Sequence, residues 1–304
     1  MWTVSRRDTL YDWLLADMPV TTRQAAAGQL YRRWLQFRQN HLATAGLAIV
    51  VVLVLVAIAA PALATYPPGA QDLANRLAPP SAAHWLGTDE LGRDLYSRVI
   101  YGSRATLGIV LAVVMLVAPV GLAVGTVAGY YGGLLDTILM RVTDVFLSFP
   151  RLVLALAFVA AMQPGMASAI LAIALTAWPP YARLARSETL TLRHADYIEA
   201  VRLTGAFSGR IILRHIVPLC VSSLIVRVAL DMSGIILTTA GLGFLGMGAQ
   251  PPSPEWGTMI AMSRGFILEQ WWVPTIPGMA ILIASLAFNL LGDGLRDVLD
   301  PRQE

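Results

Sequence analysis

The sequence contains no lysine; all 22 of its basic residues are arginine. That absence removes several activities at once. A Walker-type phosphate loop needs a lysine to reach the terminal phosphates, so no such ATP site is present. Schiff-base chemistry and lysine general bases are excluded with it. Cysteine is nearly as scarce: Cys220 is the single one, can form no intrachain disulfide, and so reports no oxidising compartment. The 4 histidines, His41, His84, His194 and His215, are scattered along the chain without H-E-x-x-H spacing. No G-x-S-x-G nucleophile elbow occurs either. The expectation is therefore no catalytic, cofactor-binding or metal-binding residue in this chain. Charge is thin as well, at 13% of residues, against about 25% in soluble domains.

What fills the sequence is apolar. Hydrophobic residues make up 56% and mean hydropathy is +0.63. A chain this apolar cannot hide its surface from water, so lipid is its expected solvent. The basic balance, +3 at neutral pH, could point to nucleic acid, but arginines set beside apolar runs are better explained as a topology signal. Ser5-Arg6-Arg7-Asp8-Thr9-Leu10 superficially resembles a twin-arginine export signal. Asp12, Asp17 and Arg23 follow it where an apolar core should stand, so a cleaved signal is not expected. The first apolar run should stay as an anchor.

A helix crossing the hydrocarbon core needs about 20 apolar residues. A first span is predicted from about Leu42 to Ala64, and a second within Ala105–Leu135, broken by Pro119 and several glycines. The uncharged run Leu152–Ala182, with Val142–Phe149 leading in, is too long for one span. It should hold two, meeting at a turn over Gln163-Pro164-Gly165. A fifth lies between about Pro218 and Gly246 and a sixth between about Val273 and Leu291. The predicted architecture is an all-α integral membrane protein, a bundle of about six transmembrane helices.

Arginine placement orients it. With the N-terminus cytoplasmic, inner segments hold most arginines and outer segments hold only Arg76, Arg93, Arg98, Arg104 and Arg264, which satisfies the positive-inside rule. Both termini of this multi-pass protein are then expected on the cytoplasmic side of the membrane. Leu30–Arg38 interleaves Leu30, Tyr31, Trp34, Leu35 and Phe37 with three arginines and reads as an amphipathic helix on the inner leaflet. The chain divides into a cytoplasmic N-terminal segment, residues 1–40, and a transmembrane domain, 41–304, with a cytoplasmic loop at about 183–216.

That loop carries local signals. Asp196 followed by Glu199 resembles a capping box, and Gly205 can take the left-handed conformation that ends a helix. A second helix should start near Ser208 and run toward Pro218. The product is a helix–turn–helix finger suited to docking in a partner's groove. In the fifth span, Arg227 and Asp231 stand one turn apart, where unpaired charge is costly. They are expected to pair with each other, as a structural ion pair or as part of a substrate path. Outside, Glu90 with Arg93 and Asp94 with Arg98 have helix pairing distances. Residues Asp89, Glu90, Arg93 and Asp94, together with Glu255 and Trp256 of the 251–257 loop, are candidates for an outer gate or a contact with an extracytoplasmic protein, with a purely structural cap as the alternative.

Glu199-Ala200-Val201, three residues, Gly205, nine residues, then His215-Ile216-Val217-Pro218 resembles the EAA loop of bacterial ABC importer permeases. Val201, His215 and Val217 depart from the consensus. Three further stretches look like signatures of the dipeptide/oligopeptide/nickel permease family, C-type subunit. They are His84–Asp94, Phe244–Gly248 with Pro251–Gly257, and Asn289–Asp297 with Asp300-Pro301. The resemblance covers roughly residues 30 to 302 and implies a type I ABC importer permease with a cytoplasmic coupling helix. It implies that Glu199, Ala200, Val201, Gly205 and Pro218 couple the chain to an ATPase. It further implies a paralogous second permease, two ATP-binding-cassette ATPase subunits that bind ATP and magnesium, and an extracytoplasmic binding protein. The missing lysine agrees: the energy must come from another chain.

An ion-driven secondary transporter commonly carries inverted repeats and intramembrane acids; here no repeat stands out and Asp231 is expected to have a partner. A membrane-embedded enzyme would need a nucleophile–base set or metal ligands, and none is visible. Dipeptides or oligopeptides are the favoured cargo, with nickel, metal chelates or glutathione as alternatives that the sequence alone does not separate.

Overall fold

The computed structural model describes Tyr11, residues 13–15 and residues 21–299. The Ser5-Arg6-Arg7 stretch, Asp12, Asp17 and Asp300-Pro301 lie outside the described residues. Among the described residues the regular structure is helical, and one isolated bridge, Thr88 with Asp94, stands in for a sheet.

Helix α1 (Thr22–Gln39) starts where the Thr21 side chain accepts from the Gln24 N–H. It stops at Asn40, whose side chain then caps α2 (His41–Leu63) by accepting from the Leu42 and Ala43 amides. One residue thus turns the expected interfacial helix into the first span. Val52, Leu55 and Ile58 of α2 face outward, an arrangement that water would not tolerate over such an area and that lipid favours.

Helix α3 (Leu95–Tyr131) runs 37 residues without interruption, which corrects the expected break at Pro119. Proline removes one backbone hydrogen bond from a helix interior, but the cost is offset from the side. Gly121, Gly125 and Gly129 recur every fourth residue and let α7 (Pro179–Leu192) lie directly on α3. A Cβ at Gly125 would stand 2.2 Å from the Ala182 carbonyl oxygen, and one at Gly129 would stand 2.8 Å from Thr189 Cβ. Small residues at such a seam bring backbones close enough for dispersion contact to hold two membrane helices together.

Between them, α4 (Gly133–Leu147) and α5 (Arg151–Met162) meet at 92° across Pro150. The expected turn follows at Gln163-Pro164-Gly165, with Gln163 at φ +81°. The two helices joined there, α5 and α6 (Met166–Ala177), are only 12 residues each, about 18 Å at 1.5 Å per residue, too short to cross alone. Helix α6 gains length through Trp178, which keeps helical dihedrals (φ −69°, ψ −28°) and leads into α7. Pro179 and Pro180 bring no N–H groups, so hydrogen bonding lapses there while the helical path continues.

The rest of the chain is α8 (Asp196–Leu203), α9 (Ser208–Ile211), a π-helical turn (Ile212–Ile216), α10 (Val217–Phe244), α11 (Trp256–Ser263) and α12 (Trp272–Leu299). Among the described residues four helical runs are long and apolar enough to cross a membrane, or five if the bent α4–α5 pair is one span. The expected bundle is present, built from fewer unbroken spans than the six counted from hydropathy. Its core is drawn from α3, α6, α10 and α12, with Val110, Val113, Val117, Ile173, Ile235 and Phe288 buried together. Gly294 of α12 meets Ala43 of α2 at one end, and Trp256 of α11 meets Gly102 of α3 at the other. The bundle therefore has a finger end and a loop end.

Candidate functional site

The finger forms at the end of the bundle where α3 finishes. Helix α8 is eight residues long, and Gly205 at φ +82° ends it as expected. The capping box does not form. Ala195 occupies the N-cap position without a side-chain bond, so Asp196 and Glu199 fall one residue further inside. Both carboxylates still lie in the first turn, where the helix dipole favours negative charge. Ile198 is fully buried with Ile211, Ile216 and Cys220, and Val201 and Leu122 pack against them. Arg193 donates from Nη1 to the Gly129 carbonyl at 3.0 Å, and Arg202 lies 5.7 Å from the centre of the Tyr130 ring. The inner face of α8 is therefore fixed to α3.

Its outer face is free. Glu199 and Ala200 are exposed, as are Gly205 and Pro218. Glu199 makes no hydrogen bond or ion pair with the described residues. Leu203 is 89% exposed and Phe207 71%. The braced helix thus presents an acid beside one uncovered apolar side chain, Leu203, with a second, Phe207, just past its end. Before Pro218 the helix widens, and the Val217 N–H reaches back to Ile212. Pro218 has no N–H to give Arg214, and a π turn absorbs the defect.

Arg227 and Asp231 do not pair, contrary to expectation. Arg151 at the start of α5 donates from Nη1 to Asp231 Oδ1 at 2.9 Å, and the Tyr181 hydroxyl donates to Oδ2 at 3.1 Å. Arg227 instead lies over the Tyr181 ring, 5.8 Å from its centre. Both oxygens of the acid are taken by residues distant in sequence, which outcompete the neighbour one turn away. Arg151 and Tyr181 were missed by reading α10 alone. The one available signal was that each borders an apolar run at a proline, Pro150 or Pro180.

The candidates at the loop end turn inward. Asp89, Arg93, Asp94, Glu255 and Trp256 are all buried. Asp89 accepts from the Leu91 and Arg93 amides and from Arg93 Nε at 2.6 Å, with Arg98 Nε at 3.4 Å. Glu90 pairs with Arg93 at 2.9 Å as its spacing suggested. Asp94 does not pair with Arg98; it caps α3 through the Ser97 amide and meets His84 Nδ1 at 2.9 Å. Asp94 is the N-cap of α3, and its carboxylate is taken by the Ser97 amide, Thr65 and His84, while Arg98 donates from Nη1 to the Pro68 carbonyl. Glu255 caps α11 through the Gly257 and Thr258 amides, both at 2.9 Å, and Trp256 Nε1 donates to the Val99 carbonyl at 3.0 Å. These side chains form a structural cap. Trp85, Leu268 and Trp271 are among the uncovered large groups nearby.

Comparison with known proteins agrees with this arrangement. Residues 121–304 match the family described as binding-protein-dependent transport system inner membrane component, and residues 28–80 match the N-terminal TM domain of oligopeptide transport permease C. The chain is 46% identical over 269 residues to the probable D,D-dipeptide transport system permease protein DdpC of Escherichia coli (strain K12), covering 88% of this chain and 90% of that one. It is 41% identical over 294 residues to the dipeptide transport system permease protein DppC of Haemophilus influenzae, covering 95% and 99%. A glutathione transport system permease protein, GsiD of Pectobacterium atrosepticum, is 42% identical over 290 residues, covering 95% and 96%. Among solved structures, the inward-facing MetNI methionine ABC transporter is similar in fold, with a TM-score of 0.56 at 20% identity over 67% of this chain and 97% of that one. With a braced finger, an apolar bundle and these relatives, the chain belongs to the binding-protein-dependent transport system inner membrane components, as a C-type permease subunit of the dipeptide/oligopeptide/nickel family.

Proposed function

We propose that the chain forms half of the translocation path of an ATP-driven importer for dipeptides or oligopeptides. A paralogous permease completes the path, two ATPase subunits bind ATP and magnesium and drive it, and an extracytoplasmic binding protein delivers the cargo. The chain itself holds no cofactor. Both termini lie in the cytoplasm, with residues 1–40 as the N-terminal segment, 41–304 as the permease domain and about 183–216 as its coupling loop.

The observation that carries this reading is the free outer face of α8. Glu199 and Leu203 are exposed on a helix whose other face is locked to α3, and Phe207 is exposed just past the Gly205 turn. A rigid, partly apolar projection with an unpaired acid suits a groove on an ATPase, and Ala200, Val201, Gly205 and Pro218 shape it. The peptide cargo is supported by relatives named for dipeptide transport; a relative named for glutathione transport supports that tripeptide as an alternative, and nickel or metal chelates stay alternatives by family resemblance alone. Contact with the binding protein falls to exposed Trp85, Leu268 and Trp271, since Asp89, Asp94 and Glu255 are buried and Glu90 is held by Arg93.

Affinity purification from native membranes tests the assignment, comparing wild type with Glu199→Arg and measuring ATP hydrolysis in each eluate. Wild type should bring down a second permease and an active ATPase, and the variant should lose the ATPase. A chain that comes out alone and drives uptake in liposomes without ATP would be a secondary transporter.

A further inference from the structure

The pairing around Asp231 leaves an imbalance. Two guanidinium groups, Arg151 and Arg227, converge on Tyr181 and a single carboxylate whose oxygens are both occupied, one by Arg151 and the other by the tyrosine hydroxyl. Arg151 Nε and Nη2 and Arg227 Nε are buried and have no acceptor. Three donor atoms on cations, shielded from water beside a membrane span, are a large debt for a fold to leave open. The site carries one positive charge more than negative.

Its surroundings also favour an anion. Arg151 is the first residue of α5, a 12-residue helix whose N-cap Pro150 supplies no side-chain bond, so the positive end of that helix adds to the two arginines. Gly234 keeps one wall bare: a Cβ there would lie 3.5 Å from Asp231 Oδ1 and 3.8 Å from Arg151 Nη1. The Arg151 side chain retains 27% of its exposure and Asp231 10%, so the cluster is open on one side. Guanidinium donors fit a planar carboxylate with two parallel hydrogen bonds, and one surplus charge matches one carboxylate.

We propose that Arg151 and Arg227 form a carboxylate-binding station on the translocation path, which receives the free C-terminal carboxylate of a peptide in transit. This rests on the peptide-importer reading. Asp231 holds Arg151 in place and keeps the site from binding its guest too tightly to release. An acidic side chain of the neighbouring permease could present the same chemistry, and the test separates the two.

The complete importer, in proteoliposomes with loaded binding protein, would be assayed for uptake of radiolabelled dialanine per ATP hydrolysed. Assembled complex would be quantified in the same vesicles. Arg227→Gln and Gly234→Val should each assemble and lower that ratio about tenfold, the effect of losing one charge-assisted contact. Arg227→Lys, which keeps the charge but loses the fork, should fall between. A ratio within twofold of wild type in Arg227→Gln would overturn the station while leaving the importer intact. Loss of assembly in both Arg227→Gln and Gly234→Val would overturn it in favour of a neighbouring subunit's acid. Failure of wild type itself to take up the peptide would overturn the importer reading from which the station follows.

Discussion

Asp89 carries more of the loop-end cap than any other side chain. It gathers two backbone amides and two arginines while 3% exposed. Removing one partner of a buried ion pair strands the other and costs about 3–5 kcal/mol. Asp89→Asn should therefore lower the thermal unfolding midpoint of the purified protein in detergent, whereas Glu90→Gln, at the partly exposed edge, should lower it far less. Glu255 gives a second residue-scale prediction. Burial pushes its carboxyl above the ordinary carboxylate range, and the hydrogen bonds from Gly257 and Thr258 pull it part of the way back. A raised pKa means the folded state holds the proton longer than the unfolded state. The stability from this group thus falls as pH rises through the window above the unfolded value. Unfolding midpoints of wild type and Glu255→Gln, measured from roughly pH 4 to pH 8, should show the variant gaining on wild type with rising pH. At this scale the sequence was only partly legible. Glu90 with Arg93 was readable because a three-residue step also brings side chains together in a tight turn. Arg98 with Asp89 was not, because Gly87 and Gly92 fold the loop back in a way no helical spacing encodes.

Among the elements, α3 and α7 depend on each other. Their seam uses Gly121, Gly125 and Gly129, so a side chain at Gly125 has no room beside the Ala182 carbonyl. Gly125→Leu should separate the helices and abolish the monodisperse peak in fluorescence-detected gel filtration. Gly108→Leu should preserve it, because a Cβ there meets nothing within 4 Å. The π turn makes a different prediction. Pro218→Ala restores an N–H for Arg214, allowing the turn to close as regular α-helix and rotating α8 and α9 by about 100°, the angle of one residue. Spin-label distances between α8 and α3 should shift in this variant. The long spans were legible, since long uncharged runs leave few choices in lipid, but α11 and the run of α7 past Arg183 were not. The ends of elements were less so: Pro119 looked like a break because proline's local cost is visible in sequence, whereas the glycine seam that offsets it depends on a partner 60 residues away. In the finger, the Gly205 stop was readable from one residue, but the N-terminus shifted by one position because Ala195 begins α8 without a side-chain bond.

Across the whole molecule, the two ends differ in kind: one presents a finger with uncovered Leu203 and Phe207, the other a sealed cap ringed by Trp85 and Trp271. On the proposed topology, a membrane-impermeant maleimide applied to right-side-out vesicles should label a cysteine at Trp85 and spare one at Leu203. The pattern should reverse in inverted vesicles. A Cys220→Ala background removes the native thiol, which is buried. The fold class followed from composition, but the number of crossings did not, because α4 to α7 reach across by bending and by a helical link at Trp178 that hydropathy cannot resolve. The seam between α3 and α7 has a mechanical consequence. Helix α3 is about 55 Å long at 1.5 Å per residue, bolted to the finger at Gly129 and Tyr130 and to the cap at Asp94 and Val99. A displacement imposed on the finger should therefore pass along that one unbroken helix to the far cap, without crossing the bent α4–α6 segment, so that the two ends shift together.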